Sequence, residues 1–151
     1  MIALYVQKTL ENNWSRAVLL NFLDTDLYEI FDAVCENRLA DIEIKWSDKR
    51  AVCVVLASGG YPVAYEKGKV ITGLTEGQLA GAADVTVYHS GTAVSGETLT
   101  TAGGRVLGVT AAAETLPAAL QKAYAAADRI AFEGLHKRTD IGARALKALN
   151  G

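Results

Sequence analysis

Apolar residues recur along the chain with two different periods, and the changes of period mark out its elements. Leu27, Ile30, Phe31 and Val34 stand three and four positions apart, which predicts a helix over Asp24–Leu39 with one apolar stripe. Asp24 and Thr25 are placed to cap it. Asp26 and Glu29 sit in its first turn and Arg38 near its end, the charge order that a helix dipole favours. From Asp41 to about Thr110 the period is two. Ile42, Ile44 and Trp46 alternate with Asp41, Glu43 and Lys45, predicting a strand with one wet face. Ala51–Ala57 is instead an unbroken apolar, β-branched run, predicting a central strand buried on both faces. Shorter strands are predicted at Lys69–Leu74, Asp84–His89 and Arg105–Thr110. Turn-rich stretches at Ser58–Pro62, Ser90–Thr92 and Gly103–Gly104 separate them.

The last third returns to helical spacing. Thr115 stands just ahead of Pro117, a helix-start pattern, and Leu116, Leu120, Tyr124, Ala127 and Ala131 form an apolar stripe opposite Gln121, Lys122, Asp128 and Arg129. A second helix, about Asp140–Leu149, is expected to bury Ile141, Ala145 and Leu149 and to stop at Asn150-Gly151. Met1–Arg16 shows no clean period and is expected to be a weakly specified leader or a remnant of an upstream region. The remainder, residues 17–151, carries no internal repeat or linker and reads as one domain. Helix, several strands, then two helices predict an α+β fold with a mostly antiparallel sheet and flanking helices.

Composition narrows the function classes. The chain has 151 residues, 50% of them hydrophobic and 21% charged, enough apolar material to fill a core. With 15 Lys+Arg against 17 Asp+Glu, the net charge of −2 argues against bulk electrostatic binding to nucleic acid or anionic membrane. No stretch reaches the roughly 18 consecutive apolar residues of a membrane span, and no basic segment precedes an apolar signal core. Two cysteines, Cys35 and Cys53, are too few for a disulfide scaffold, so a reduced, cytoplasmic setting is expected. Both are expected to be inert core thiols.

Familiar catalytic motifs are missing. Gly68-Lys69 is followed by Val70, and Val63 occupies the place where a phosphate-cradling P-loop needs glycine. No Gly-x-Gly-x-x-Gly opens a helix after a strand. His89 and His136 lack a Cys or His at metal-ligand spacing. Ser58, Ser90 and Ser95 lack the Gly-x-Ser-x-Gly elbow of hydrolases. No catalytic or metal-ligating residue is therefore assigned, and a complete small enzyme of another type finds no support.

Two places hold weaker candidates. His89 ends a predicted strand before Ser90-Gly91-Thr92, and both a structural histidine bonded to turn backbone and a catalytic one fit there. Arg105 directly follows Gly103-Gly104. Exposed backbone N–H groups and a planar guanidinium fork make an anion site, while an ordinary surface arginine at a strand mouth is the alternative. The cluster His136, Lys137, Arg138, Arg144 and Lys147 reads as a solvated helix end.

Taken together, Val54–Pro62 (VVLASGGYP), Gly68–Gly73 (GKVITG), His89–Thr92 (HSGT), Gly103–Leu107 (GGRVL), Ala123-Tyr124 and Arg138–Gly142 (RTDIG) resemble the C-terminal part of the phosphoribosylamine–glycine ligase family of the ATP-grasp superfamily. Each piece is short, but all occur in the family's order and spacing, covering nearly the whole chain from about Ala17. The resemblance implies a small barrel-sandwich hybrid packed against an amino-terminal domain and ATP-grasp lobes. It implies an enzyme that joins glycine to 5-phosphoribosylamine while splitting ATP to ADP and phosphate in purine biosynthesis. ATP and magnesium belong to that complete enzyme, and neither is expected in this chain. The glycine-rich turns are implied to face the phosphoribosyl end of the cleft, making Gly103, Gly104 and Arg105, with His89 and Thr92, the substrate-binding candidates.

One departure from the family matters. Its Glu-x-Asn pair for magnesium is followed by Arg-Phe-Gly-Asp-Pro-Glu-Thr-Gln, whereas here Leu10–Arg16 reads LENNWSR. Glu11 and Asn13 match the spacing without the segment that should follow, so no metal role is assigned to them. With the nucleotide lobes absent, the chain alone is expected to be inactive, and surface that those lobes cover is expected to promote dimerisation. The competing expectation is a scaffold module whose glycines serve only tight turns.

Overall fold

The computed structural model describes residues 23–149. It divides into two compact units, Met1–Lys49 and Arg50–Gly151, the boundary falling where the sequence shows no linker.

In the first unit, helix α1 spans Leu27–Cys35 and a single 3-10 turn spans Leu39–Asp41. The helix is shorter than its apolar period predicts. Its cap is Asp26, whose carboxylate accepts from the Tyr28 N–H at 2.8 Å, not Asp24 or Thr25. The side chain of Thr25 instead accepts from the Lys45 N–H at 2.7 Å. Of the predicted stripe only Ile30 is buried, together with Ala33. Past the helix, Arg38 folds back to pair with Asp32 and Glu36. The strand expected over Ile42–Trp46 does not form; a single bridge joins Trp46 to Leu23. Among the described residues its backbone pairing is confined to that end, the Asp24 N–H donating to Lys45 O at 3.1 Å beside that bridge, and alternation alone does not make a strand without a continuous partner.

The second unit is built on β1 (Arg50–Ser58), β2 (Val85–His89) and β5 (Arg105–Ala113), followed by helix α2 (Leu116–Ala127), the short β6 (Leu135–His136) and helix α3 (Ala143–Leu149). A hairpin of β3 (Thr92–Ser95) and β4 (Thr98–Thr101) lies between β2 and β5 in sequence. The main sheet runs β2-β5-β1-β6, all antiparallel, and β3-β4 form a separate two-stranded sheet. The architecture is α+β with antiparallel sheets, as the pattern predicts; among the described residues the sheets do not close into a barrel.

Register explains the core. Pairing Val52 with Ala111, Val54 with Val109 and Leu56 with Leu107 puts all six on one face. Helix α2 covers that face with Ala119, Leu120, Ala123, Ala126 and Ala127, a mostly alanine surface that lets the helix lie close. Each fully buried Val or Leu contributes about 1.5–3 kcal/mol relative to exposure. The opposite face carries Cys53 and Val55, and Val55 remains 41% exposed, so β1 is not buried on both faces as expected. On that face Thr110 is fully buried, and its hydroxyl has no nitrogen or oxygen partner. Its cross-strand neighbour is Cys53, whose thiol burial pushes up in pKa.

Thr115 caps α2, its hydroxyl accepting from the Ala118 N–H at 3.4 Å, and Pro117 occupies the first turn. Tyr124 is half-buried. Its hydroxyl donates to the Arg138 carbonyl at 3.0 Å and accepts from the Ile141 N–H at 3.1 Å, tying the last segment to the helix. In α3, Leu146 and the preceding Ile141 pack on the core, while Ala145 and Leu149 are exposed, contrary to the predicted burial. The expected stop at Asn150-Gly151 lies outside the described residues, as does the leader Met1–Arg16. Cys35 is exposed, not a core thiol. Of the basic cluster, only Arg144 and Lys147 are helical; Lys137 and Arg138 lie beyond β6, paired with Asp128 at 2.6 Å and Asp140 at 2.7 Å.

Lys69–Leu74, predicted as a strand, is extended but makes only single bridges, Val70 to Thr100 and Thr72 to Ala131. It still lines up beside β4, the Gly68 N–H donating to Thr101 O at 2.7 Å and the Ile71 N–H to Leu99 O at 2.8 Å.

Candidate functional site

Two predicted groups, His89 with Thr92 and Gly103-Gly104-Arg105, lie at one end of the main sheet, and the structure brings them together. His89 is the last residue of β2 and Arg105 the first of β5, and these two strands pair. The chain leaving β2 stays against β5: the N–H groups of Ser90 and Gly91 both donate to Val106 O, at 3.0 and 3.1 Å. Gly91 O then accepts from the Ala102 N–H at 2.8 Å. At the crossing, Gly91 and Gly103 meet backbone to backbone, and a Cβ on Gly91 would stand 2.7 Å from Gly103 Cα and 2.5 Å from Arg105 O. No residue larger than glycine fits there without moving main chain.

His89 is held at both ring nitrogens. Nε2 lies 2.9 Å from Gly77 O and Nδ1 3.0 Å from Thr92 Oγ1. A carbonyl can only accept, so Nε2 carries the proton in the neutral ring and Nδ1 accepts from the Thr92 hydroxyl. Both nitrogens are spent on the fold, matching the reading of His89 as a histidine that ties down turn backbone. The turn it holds, Thr75 to Gln78, was not singled out from sequence. Glu76 and Gly77 both have positive φ there, and the Thr75 and Gln78 main chains exchange bonds of 2.8 and 2.9 Å. Gln78 contributes more. Its amide donates to Val87 O at 2.9 Å and accepts from the Val87 N–H at 3.0 Å, standing in for a strand on the open edge of β2. An isolated glutamine between turn residues gives no sequence signal of that role.

A hollow of about 620 Å³ opens beside His89 and Thr92, between this turn and the β3-β4 hairpin. Ile71, Leu74, Val94 and Leu99 supply apolar walls, and Glu76 and Glu97 bring carboxylates. Its lining includes neither lysine nor arginine, and Arg105 is not part of it. The two carboxylates would repel a triphosphate. Among the described residues no group of three or more His, Cys, Asp or Glu side chains is placed to hold a metal ion.

Around Arg105 the chemistry differs. Ser58, at the end of β1 and buried, donates its N–H to Gly104 O at 2.8 Å and its hydroxyl to Gly103 O at 2.9 Å. With both carbonyls turned toward Ser58, peptide planarity points the Gly104 N–H the other way. The Tyr61 ring lies against Gly104, where a Cβ would fall among Cγ, Cδ2 and Cε2. Arg105 itself is exposed, and its guanidinium makes no ion pair with any described residue. Five N–H donors on a planar fork beside a glycine turn are the elements of an oxyanion contact.

The phosphoribosylglycinamide synthetase C-domain model matches residues 51–144, which include β1 but for Arg50, β2 to β6, α2 and all five site candidates. The chain belongs to that family. Relatives include the phosphoribosylamine–glycine ligases of Chlorobaculum tepidum, 46% identical over 85% of this chain and 30% of that protein, and of Caldanaerobacter subterraneus, 42% identical over 83% of this chain and 29% of that protein. The crystal structure of the Thermotoga maritima phosphoribosylamine–glycine ligase aligns with a TM-score of 0.56 at 37% identity, over 74% of this chain and 27% of that one. The chain thus spans less than a third of the length of these relatives. Among the described residues, no helix is long and apolar enough to cross a membrane.

Proposed function

We propose that this C domain walls the phosphoribosylamine side of the cleft in a phosphoribosylamine–glycine ligase, with Arg105 meeting the phosphate or ribose and Gly103 and Gly104 allowing close approach. The complete, ADP-forming enzyme joins glycine to 5-phosphoribosylamine at the expense of ATP in purine biosynthesis, in the cytoplasm. ATP and magnesium act in the amino-terminal and ATP-grasp portions, so this chain by itself does not turn over. The domain occupies residues 17–151, its sheet and hairpin serving as the leaves of a barrel-sandwich arrangement. Surface that the other lobes cover leaves the isolated chain prone to pair with a second copy. A strictly monomeric sedimentation profile at high concentration would count against that pairing.

The observation that carries this reading is the Ser58 clamp beside an exposed arginine with no ionic partner among the described residues: the turn carbonyls face the protein while Arg105 faces outward. His89 and Thr92 enter only as wall residues, and for them a specific observation favours the scaffold alternative. Their side chains already bond to Gly77 and to each other, and the adjoining hollow carries Glu76 and Glu97. An amide chemical-shift titration of the chain separates the readings. Shifts with phosphoribosylglycinamide, the reaction product, are expected at Gly103–Arg105, with none from magnesium-ATP. Silence with the product rejects ligand contact in favour of the scaffold; saturable ATP binding rejects the assignment of the nucleotide to other lobes.

A further inference from the structure

An arginine that follows two glycines leaves conformationally permissive backbone, so its direction has to be set from outside. Ser58 takes both glycine carbonyls and Gly91 abuts Gly103, so the hydrogen bonds and the backbone contact hold the turn from the protein side. The second constraint is an aromatic ring. Tyr61 belongs to the same turn as Ser58, its N–H donating to Ser58 O at 3.1 Å, and its ring presses on Gly104 where a side chain would otherwise stand. Tyr65 braces that ring edge-to-face, the centroids 5.8 Å apart and the planes inclined by 63°. Tyr61 is nevertheless 40% exposed, more than a ring placed only to fill a core.

We infer that Tyr61 is a positioning residue for the phosphoribosyl contact: its ring, seated on Gly104 and braced by Tyr65, holds the Gly103-Gly104 turn so that Arg105 leaves it in one direction. The inference rests on the proposed role of Arg105. Its benefit is pre-organisation, since a turn already ordered loses less freedom when an anion binds. The absent side chain at Gly104 belongs to the same device, because any Cβ there displaces the ring.

The test is a product titration of the chain and four variants, read from amide shifts of Gly103–Arg105, with shifts of β1 and α2 reporting intact folding. Tyr61→Ala is expected to raise the Kd for phosphoribosylglycinamide tenfold or more, and Tyr61→Phe to keep the parent value because the ring remains. Gly104→Ala is expected to repeat the Tyr61→Ala loss with the tyrosine still present, which covers failure of either variant to fold. Arg105→Ala is expected to abolish binding. Unchanged affinity in Arg105→Ala, or no binding by the parent chain, overturns the Arg105 reading and this inference with it. Loss in Arg105→Ala with parent-like affinity in Tyr61→Ala or Gly104→Ala overturns the inference alone. A loss in Tyr61→Phe equal to that in Tyr61→Ala also overturns it, because the hydroxyl would then be touching ligand itself.

Discussion

Gly91 and Gly103 lie back to back, and through that contact the loop after β2 and the turn before β5 share one position at the end of the sheet. A Cβ on Gly91 would stand 2.5 Å from Arg105 O and 2.7 Å from Gly103 Cα, all main-chain atoms. Gly91→Ala is therefore expected to cost about 2–3 kcal/mol, the upper part of the roughly 1–3 kcal/mol range for forced overpacking. Gly103→Ala, whose Cβ would meet Gly91 Cα at 3.1 Å, is expected to cost less. Urea unfolding of both variants measures the difference, and equal costs would contradict the crossing described.

Gln78 acts as a strand of one residue. Its amide forms both hydrogen bonds that a neighbouring strand would make with Val87, so Gln78→Ala is expected to lose about 1–2 kcal/mol from two net contributions. Hydrogen exchange at the Val87 amide should speed up selectively. Gln78→Glu keeps an acceptor for that amide but offers Val87 O no donor, and is expected to fall between the two.

The thiols should react in order. Cys35 is exposed, whereas Cys53 lies half-buried beside Gly108 with its pKa pushed up by burial. The thiolate is the reactive form, so near pH 8 a thiol reagent is expected to modify Cys35 faster than Cys53 by on the order of tenfold or more. Comparable rates would mean that Cys53 is far more accessible than its packing shows.

Acid should remove two surface contributions together. Lys69 holds Glu66 below its ordinary value of 4.5, and Arg138 holds Asp140 below 3.8. A carboxylate lowered in the folded state adds stability above its unfolded pKa, and that share disappears as pH falls through the folded value. The deficit of Glu66→Gln relative to the parent chain is thus expected at pH 7, to shrink below about pH 4.5, and to vanish in stronger acid. Because the carboxylates of both pairs are exposed, added salt should shrink it at pH 7 as well. Chemical unfolding at several pH values and two salt concentrations checks this.

Much of the second unit was legible because local pattern and tertiary demand agree there. The apolar run from Ala51 and the Thr115–Pro117 start signal correspond to β1 and α2 within a residue or two. Elsewhere they diverge. Ile42, Ile44 and Trp46 alternate like a strand, yet among the described residues Trp46 makes one bridge and no ladder. The TAVS and TLTT segments show little periodic contrast, yet they pair as β3 and β4, because a four-residue strand takes its stability from a partner rather than from propensity. Cys35 falls within a helix and reads as a core thiol; the face it occupies is exposed.

The candidate site divides in the same way. Residue types and spacing by themselves determined the fold class, the main strands and α2, the absence of familiar cofactor motifs, and the family, since its motifs are short local strings preserved in order. Only the tertiary structure decided that Gly91 meets Gly103, that Ser58 and Tyr61 grip the turn before Arg105, and that both His89 nitrogens are occupied. Apart from the local His89–Thr92 bond, those contacts join residues 12 to 46 positions apart. Hydrophobic period reports which face of an element is buried; which distant backbone or ring lies against that face is set by register and chain crossing, which no local pattern encodes.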